Sequence, residues 1–199
     1  SKYVLMGSSS NFGNMFSMAG AALFLPFLPM LPIQILLNNL LYDVSEIAIP
    51  FDHVDPESIT KPVTWDIKLI EHFMLVFGPI SSIFDFITFY ALLRLFGASE
   101  ALFQTGWFVE SLLSQTLIVH VIRTGKIPFI ESRASLALTI TTLVVCLIGA
   151  VLPYSSLASK FGLSPLPALY WLFLGVILIC YMALTQFVKH NHVLHESNL

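Results

Sequence analysis

The chain alternates between long apolar stretches and short polar segments, and this pattern predicts six membrane-spanning helices. Each apolar stretch is close to the roughly 20 residues that a helix needs to cross a bilayer. The fold class predicted from this pattern is all-α, a polytopic membrane bundle of six transmembrane helices. The predicted spans cover about residues 10–25, 30–49, 69–93, 102–121, 134–153 and 167–188.

The first two spans lie within one stretch, Tyr3–Tyr42, that contains no Asp, Glu, Lys or Arg. As a single helix it would be about 60 Å long, twice the roughly 30 Å hydrocarbon core of a bilayer. Pro26, Pro29 and Pro32 cannot all lie inside one regular helix, because proline lacks the backbone N–H that a helix interior uses. The sequence therefore predicts a helical hairpin whose turn falls near Pro26–Pro32.

The longest polar segment, residues 50–66, reads PFDHVDPESITKPVTWD. Its prolines and charges are typical of a loop outside the membrane. The acidic residues in and before this segment are expected to be loop or interface charges; they are Glu46, Asp52, Asp55 and Glu57.

Two features within the spans add local predictions. Gly78-Pro79 in the third span predicts a kink. Trp65, Trp107 and Trp171 stand near predicted span ends, where tryptophan commonly lies at the membrane–water interface.

Composition supports an integral membrane protein. Hydrophobic residues make up 56% of the chain and charged residues only 11%, against about 25% charged in a typical soluble domain; the mean hydropathy is +0.83. The net charge of −3 argues against a nucleic-acid partner. The sequence contains no phosphate-binding GxxxxGK[ST] loop and no HExxH zinc motif, so it shows no machinery for binding or hydrolysing a nucleotide.

The distribution of basic residues predicts the orientation in the membrane. Of the 9 Lys and Arg residues, only Arg94 and Lys160 fall on the side opposite the two termini. Because basic residues are enriched in cytoplasmic loops, both termini and the loop 50–66 are predicted to be cytoplasmic.

Polar side chains on the predicted hairpin suggest an ion site between its helices. Asn11 and Asn14 are one turn apart and share a helix face, and so do Asn39 and Asp43 on the second helix. Their amide and carboxylate oxygens are suitable ligands for a hard cation, and carbonyls freed by a broken helix would add to them. Two alternatives stay open: the amides form interhelical hydrogen bonds, or Asp43 lies at the interface, where its charge costs little.

Two further carboxylates, Asp85 and Glu110, fall inside the third and fourth spans. Ionisable residues at membrane depth usually face a bundle interior or an ion pathway, so both are weaker candidate ion ligands. The alternatives are a packing role for Asp85, bonded to a nearby hydroxyl, and a position near the outer interface for Glu110. Gln115 is expected to hydrogen-bond between helices.

The stretch that begins SSSNFGNMF and ends LLNNLLYD resembles the fifth and sixth transmembrane helices of P-type ATPases. Cation pumps share the pattern SSN-x-x-[E/N] in the fifth helix, followed by P-x-Q-x-L-x-x-N-x-x-x-D in the sixth. The matching residues are Ser9, Ser10, Asn11, Asn14, Pro32, Gln34, Leu36, Asn39 and Asp43.

Other segments are similar to the bacterial magnesium-transporting P-type ATPases. They recur in the same order, which makes the resemblance specific, and it extends to about Leu166 and more weakly through the sixth span. The segments are SNFGN, FLPFLPMLPIQ, KPVTWD, GPISSIFD, FQTGWFVESLLSQTLIVH, RTGKIPFI and SRASL.

The resemblance implies that the chain is the C-terminal membrane portion, helices five to ten, of a larger pump in the bacterial inner membrane. The phosphorylation, nucleotide-binding and actuator domains and the first four helices would lie upstream, with the loop 50–66 near the phosphorylation domain. Such pumps couple ATP hydrolysis, through an aspartyl-phosphate and ATP-bound Mg²⁺, to Mg²⁺ movement into the cytoplasm. This portion alone is expected to hydrolyse no ATP.

The resemblance also implies a ligand set. Asn11, Asn14, Asn39 and Asp43 match positions that supply ion ligands in calcium pumps, where Asn14 is replaced by glutamate and Tyr42 by threonine. One ion site is therefore expected rather than two. Mg²⁺ suits such a site because it usually takes one or two carboxylates and keeps several waters. Glu110 lies in the eighth-helix segment, where calcium pumps also place a glutamate ligand.

Two other classes of function compete with the pump. A free-standing six-span cation channel or secondary transporter could use the same polar, interrupted hairpin without ATP. A purely structural bundle that supports a partner would need no ion site, so neutralising Asp43 would leave transport unchanged.

Overall fold

The computed structural model describes residues 2–53, 56, 67–124 and 127–196. Throughout these ranges the regular structure is helical and no β-strand occurs; Pro128 and Ser132 form an isolated bridge. The all-α fold class is confirmed. The main helices are α1 (Lys2–Ala22), α2 (Pro32–Glu46), α3 (Ile67–Tyr90), α4 (Glu100–Ile122), α5 (Leu136–Val151) and α6 (Ala168–Glu196).

Short helical turns extend several of these helices. A π-helical turn, Ala91–Leu95, follows α3, and 3₁₀ turns cover Ile49–Phe51, Leu152–Tyr154 and Ala158–Phe161. Each main helix overlaps one predicted span, while crossing of the bilayer stays a prediction. In the loop 50–66, residues 54–55 and 57–66, with Asp55, Glu57 and Trp65, lie outside the described residues.

The described helices divide into an apolar and a polar group. Three are long and apolar enough to cross a membrane, at Ile70–Leu95, Leu136–Tyr154 and Ala168–Asn191. The others, α1, α2 and α4, carry most of the asparagines and glutamines of the described helices. At 1.5 Å per residue, the 15 residues of α2 span about 22 Å, less than the roughly 30 Å hydrocarbon core.

Helix ends follow from local chemistry. Pro32 occupies the first turn of α2, where its missing N–H costs nothing. The side-chain oxygen of Gln34 accepts a hydrogen bond of 2.9 Å from the backbone N–H of Leu31. The hydroxyls of Ser99 and Ser135 likewise accept backbone N–H groups in the first turns of α4 and α5.

Helix α4 forms the centre of the bundle, since it contacts each of the other five main helices. Most of its residues are buried, which is typical of a helix enclosed on all sides. The expectation that Trp107 lies at the interface is wrong. Its indole is buried against Phe89, with ring centroids 4.9 Å apart in an edge-to-face arrangement.

Helix α1 packs closely against α3 because glycines bring the two backbones together. A Cβ atom at Gly13 would lie 3.2 Å from the carbonyl oxygen of Gly78. A Cβ at Gly20 would lie 2.4 Å from Cζ of Phe86. α3 continues through Pro79 as one helix, and the kink at Gly78-Pro79 stays a prediction.

A buried ion pair fixes one end of the bundle. Nε of Arg123, at the end of α4, donates to Oδ2 of Asp52 over 2.5 Å, and both side chains are 2% exposed. The backbone N–H of Ser135, just before α5, donates to Oδ1 of Asp52 over 2.8 Å. Burial raises the pKa of Asp52, but the hydrogen bonds from Arg123 and Ser135 outweigh it and hold that pKa below its ordinary value.

Candidate cation site

A cavity of about 650 Å³ lies between α1, α2 and α4, and we call it the inner cavity. Three of the four main candidate ligands, Asn11, Asn14 and Asn39, line it, together with Asn38 and Ser111. The rest of its wall is apolar and includes Trp107 and four methionine and isoleucine side chains. A few amide and hydroxyl groups converging in an apolar cleft are typical of a binding site.

Asn14 is held by a short chain of hydrogen bonds from α4. The hydroxyl of Ser111 donates to Oδ1 of Asn14 over 3.3 Å, and Nε2 of Gln115 donates to the Ser111 hydroxyl over 2.6 Å. Gln115 thus bonds within its own helix and acts on Asn14 through Ser111. This network fixes the orientation of an amide whose second oxygen lone pair remains available.

Asn38 is a further polar residue of the inner cavity. Its side chain is 2% exposed, and Nδ2 donates to the Phe108 carbonyl over 3.3 Å. Its Oδ1 is buried and finds no donor within the described part of the chain. Burying a carbonyl oxygen without a hydrogen-bond donor destabilises the folded protein. A cation or water bound to that oxygen would remove this cost. The spacing argument selected Asn39 and Asp43 as ligands and left out Asn38, since the motif LLNNLL does not distinguish the two adjacent asparagines.

A second cavity of about 370 Å³, the outer pocket, adjoins the first. Asn11 and Asn39 line both cavities, whereas Asp43 lines only the outer pocket and Asn14 only the inner cavity. The structure therefore brings the four main candidate ligands into two neighbouring cavities and not into one. Asn11, Asn39 and Asp43 are exposed in this chain.

Glu46 also lines the outer pocket. It was expected to be a loop or interface charge, but it lies within α2 and is 1% exposed. Tyr42 lines the same pocket, and its hydroxyl lies 3.1 Å from the hydroxyl of Ser10 in α1. Only the tertiary structure shows that this carboxylate is buried.

The weaker candidates, Asp85 and Glu110, form a separate cluster deeper in the bundle. Each is 1% exposed, and their carboxyl groups contact one another. Ser17 of α1 donates to Oδ2 of Asp85 over 2.6 Å. Neither carboxyl group lines the inner cavity or the outer pocket, so the structure does not bring them together with the four main candidates.

Two groups near this carboxyl pair lack partners in the described ranges. Trp107 lies beside Asp85, but its Nε1 makes no hydrogen bond of normal geometry, and Oε2 of Glu110 is likewise unpaired.

Glutamine side chains hold the non-helical turn between α1 and α2. Nε2 of Gln34 donates to the Phe161 carbonyl over 2.9 Å and, more weakly, to the Gly162 carbonyl over 3.4 Å. Nε2 of Gln104 donates to the Leu28 carbonyl over 2.8 Å. The bond to Leu28 satisfies a carbonyl of the proline-rich turn that no helix pairs, and the bonds from Gln34 join the start of α2 to the segment between α5 and α6.

The chemistry of the two cavities suits a hard cation. Their polar walls are amide, hydroxyl and carboxylate oxygens, the ligand types that Mg²⁺ and Ca²⁺ prefer. Among the residues that the structure describes, no cluster of three or more His, Cys, Asp or Glu side chains is placed to hold a metal ion. The site therefore offers few charges and many neutral oxygens.

Comparison with known proteins supplies the context for these cavities. The sequence profile of the family described as "Cation transporting ATPase, C-terminus" matches residues 27–190. The chain is 55% identical over 192 residues to "Magnesium-transporting ATPase, P-type 1" of Escherichia coli K12, a match that covers 94% of this chain and 21% of that protein. It is 48% identical over 196 residues to a protein of the same name from Salmonella typhimurium LT2, covering 96% and 22%. The chain thus spans about a fifth of the length of these relatives.

Proposed function

Because the chain belongs to the cation-transporting P-type ATPases, as part of their C-terminal membrane region, we propose that it forms the ion-translocating part of a pump that imports Mg²⁺ into the cytoplasm. The observation that carries this proposal is the 55% identity, over 94% of the chain, to a protein named as a magnesium-transporting ATPase. The oxygen-lined cavities between α1, α2 and α4 provide a place for the ion.

The proposed ion ligands are Asn11, Asn14, Asn39 and Asp43. Asn11 and Asn39 line both cavities, so an ion that moves between the inner cavity and the outer pocket stays within reach of the same two amides. One carboxylate, Asp43, and several neutral oxygens match the preference of Mg²⁺ for few charged ligands and retained waters. Asp85 and Glu110 remain weaker proposed ligands, since they line neither cavity.

The energy source of the proposed pump lies outside this chain. The sequence has no nucleotide-binding loop, and the relatives are about five times as long. The proposed partners are the phosphorylation, nucleotide-binding and actuator domains of the same pump, which would use ATP together with its own Mg²⁺. The proposed location is the bacterial inner membrane, with both ends of this region and the loop 50–66 in the cytoplasm.

The exposed polar face of the hairpin supports burial by further helices of the pump. Asn11, Asn39 and Asp43 are exposed in this chain, and polar groups at membrane depth must be satisfied by protein or by a water-filled path. Phosphorylation elsewhere in the pump would alter access to the ion by moving α1 and α2, a coupling that requires a two-state element.

The test uses the full-length pump in cells that lack other Mg²⁺ transporters. Uptake of Ni²⁺ or Co²⁺, as surrogates for Mg²⁺, is measured for wild type and for Asp43→Asn, which keeps the size of the side chain and removes its charge. Glu71→Gln, at an exposed position of α3, is the matched control.

We expect Asp43→Asn to abolish uptake while the purified protein still folds and accepts phosphate from ATP, and we expect Glu71→Gln to transport normally. Normal uptake by Asp43→Asn would overturn the assignment of the ion site to this residue. Uptake that is insensitive to removal of the phosphorylated domain would favour a channel or secondary transporter over the pump.

A further inference from the structure

Glu46 is a buried carboxylate that the proposed ligand set does not use. It lies one turn after Tyr42 on α2, is 1% exposed and lines the outer pocket. Its Oε1 atom is buried and has no hydrogen-bond partner among the residues that the structure describes. A buried carboxylate keeps its charge only when it is paired or bound to a cation.

The described groups that line the outer pocket beside Glu46 are polar or acidic. Tyr42 and Asp43, both from α2, line the same pocket beside it. From α1, the pocket receives Gly7, Ser8 and Asn11, and Ser10 bonds to the Tyr42 hydroxyl. Among the residues whose side chains the structure describes, no Lys, Arg or His lines this pocket.

The size of the outer pocket suits a hydrated ion. Six waters need roughly 180 Å³ at the volume that water occupies in the liquid, and the pocket holds about 370 Å³. Mg²⁺ gives up its waters reluctantly and is usually bound through one or two carboxylates. Asp43 and Glu46 provide two, and the side-chain oxygens of Asn11 and Asn39 can accept hydrogen bonds from coordinated water.

We propose that Glu46 and Asp43 form the carboxylate pair of a hydrated divalent-cation position in the outer pocket, separate from the inner cavity that holds Asn14 and Asn38. An ion leaving the inner cavity passes Asn11 and Asn39, which line both spaces, and is rehydrated between the two carboxylates. This inference rests on the proposed function, because it assigns a second position along the same ion path.

The test compares Glu46→Gln with wild type in the purified full-length pump. Glutamine keeps the shape of the side chain and one of its oxygens, and it removes only the charge. Equilibrium binding of Mn²⁺, a hard surrogate for Mg²⁺, is measured by electron paramagnetic resonance without ATP, and Ni²⁺ uptake by cells is measured in parallel. Glu71→Gln, which removes an exposed charge from α3, is the control.

We expect Glu46→Gln to weaken Mn²⁺ binding by about tenfold or more, the scale seen when a group that supports a metal site is removed, and to raise the Ni²⁺ concentration for half-maximal uptake. Thermal stability is expected to stay at the wild-type value, and Glu71→Gln is expected to match wild type in every measurement. Unchanged binding and uptake in Glu46→Gln would overturn the proposal and leave Glu46 as a protonated packing residue.

A second variant covers the case in which Glu46→Gln does not fold. Glu46→Asp keeps the charge and shortens the side chain, so we expect Mn²⁺ binding to survive with reduced affinity; complete retention of wild-type affinity would contradict a direct role. The wild-type protein distinguishes a failure of the proposed function from a failure of this inference alone. If wild type takes up no divalent cation, the pump assignment fails, whereas uptake that depends on Asp43 and not on Glu46 removes only the outer position.

Discussion

Ser17 in α1 donates a hydrogen bond of 2.6 Å to Oδ2 of Asp85 in α3, and both residues are almost completely buried. The bond joins the two helices beside the glycine contacts that bring them together. Glu110 of α4 contacts the same carboxyl group. One hydroxyl therefore supports a carboxyl pair that links three helices around the centre of the bundle.

Removing this hydroxyl should destabilise the bundle. Ser17→Ala leaves a buried carboxyl oxygen of Asp85 without its donor, which typically costs about 1–3 kcal/mol. The measurement is thermal unfolding of the detergent-solubilised full-length pump. Ser155→Ala is the control, because the Ser155 hydroxyl bonds only to the Leu152 carbonyl in its own turn; equal losses in the two variants would show that the Ser17 bond has no special weight.

The glycine contact between α1 and α3 gives a steric prediction. In Gly20→Ala the new Cβ would lie 2.4 Å from Cζ of Phe86, so the ring or the helix must shift, at a cost of about 1–3 kcal/mol. Gly175→Ala, in α6, has no atom within 4 Å of the new Cβ and should be neutral or stabilising by up to about 1 kcal/mol. The unfolding temperature of each variant of the full-length pump in detergent measures these effects. A Gly20→Ala protein that is more stable than wild type would contradict the close packing.

The hydrogen bonds of Gln34 at the start of α2 predict that its replacement by glutamate destabilises the protein. Gln34→Glu keeps an oxygen for the Leu31 N–H but replaces the donor to the Phe161 carbonyl with a second acceptor. The two facing oxygens would repel, and the expected loss is about 1–3 kcal/mol of stability. Asn191→Asp makes the same chemical change at an exposed position of α6 and should unfold at the same temperature as wild type. A Gln34→Glu protein that also unfolds at the wild-type temperature would show that the hydrogen bonds of Gln34 do not contribute to stability.

Local chemistry made the hairpin predictable from sequence. Prolines stop helices through their own geometry, and α1 does end at Ala22 while α2 begins at Pro32. Helical spacing likewise predicted that Asn11 shares a face with Asn14 and Asn39 with Asp43; the first pair lines the inner cavity and the second lines the outer pocket. Ion binding by these residues stays a prediction.

Burial was not predictable in the same way, because lipid and protein interior are both apolar. The pattern around Asn38 and Asn39 shows two adjacent amides, but only the packing of α2 against α4 makes Asn38 the buried one. Glu46 and Trp107 were placed at an interface on the basis of chain position alone. Both are buried by tertiary packing, which no local pattern reports.

The pair formed by Asp52 and Arg123 yields a prediction with a defined pH dependence. Because the folded protein holds the pKa of Asp52 below its ordinary value, the pair contributes its full stability at neutral pH. As the pH falls below about 4, the ordinary pKa, Asp52 takes up a proton in the unfolded protein first, and the contribution decreases. It is fully lost once the pH is below the lowered pKa and Asp52 is protonated in the folded protein as well. Asp52→Asn should therefore cost about 3–5 kcal/mol at neutral pH, since Arg123 is left buried without its partner.

The difference between wild type and Asp52→Asn should narrow below about pH 4, because acid removes the same charge from the wild-type protein. Unfolding in denaturant at several pH values measures both effects. Glu131→Gln is the control, since this exposed carboxylate accepts the Ile127 N–H in the neighbouring loop and should change stability by less than about 0.5 kcal/mol. A gap between wild type and Asp52→Asn that stays constant into acid would mean that the asparagine acts through packing and not through the lost charge.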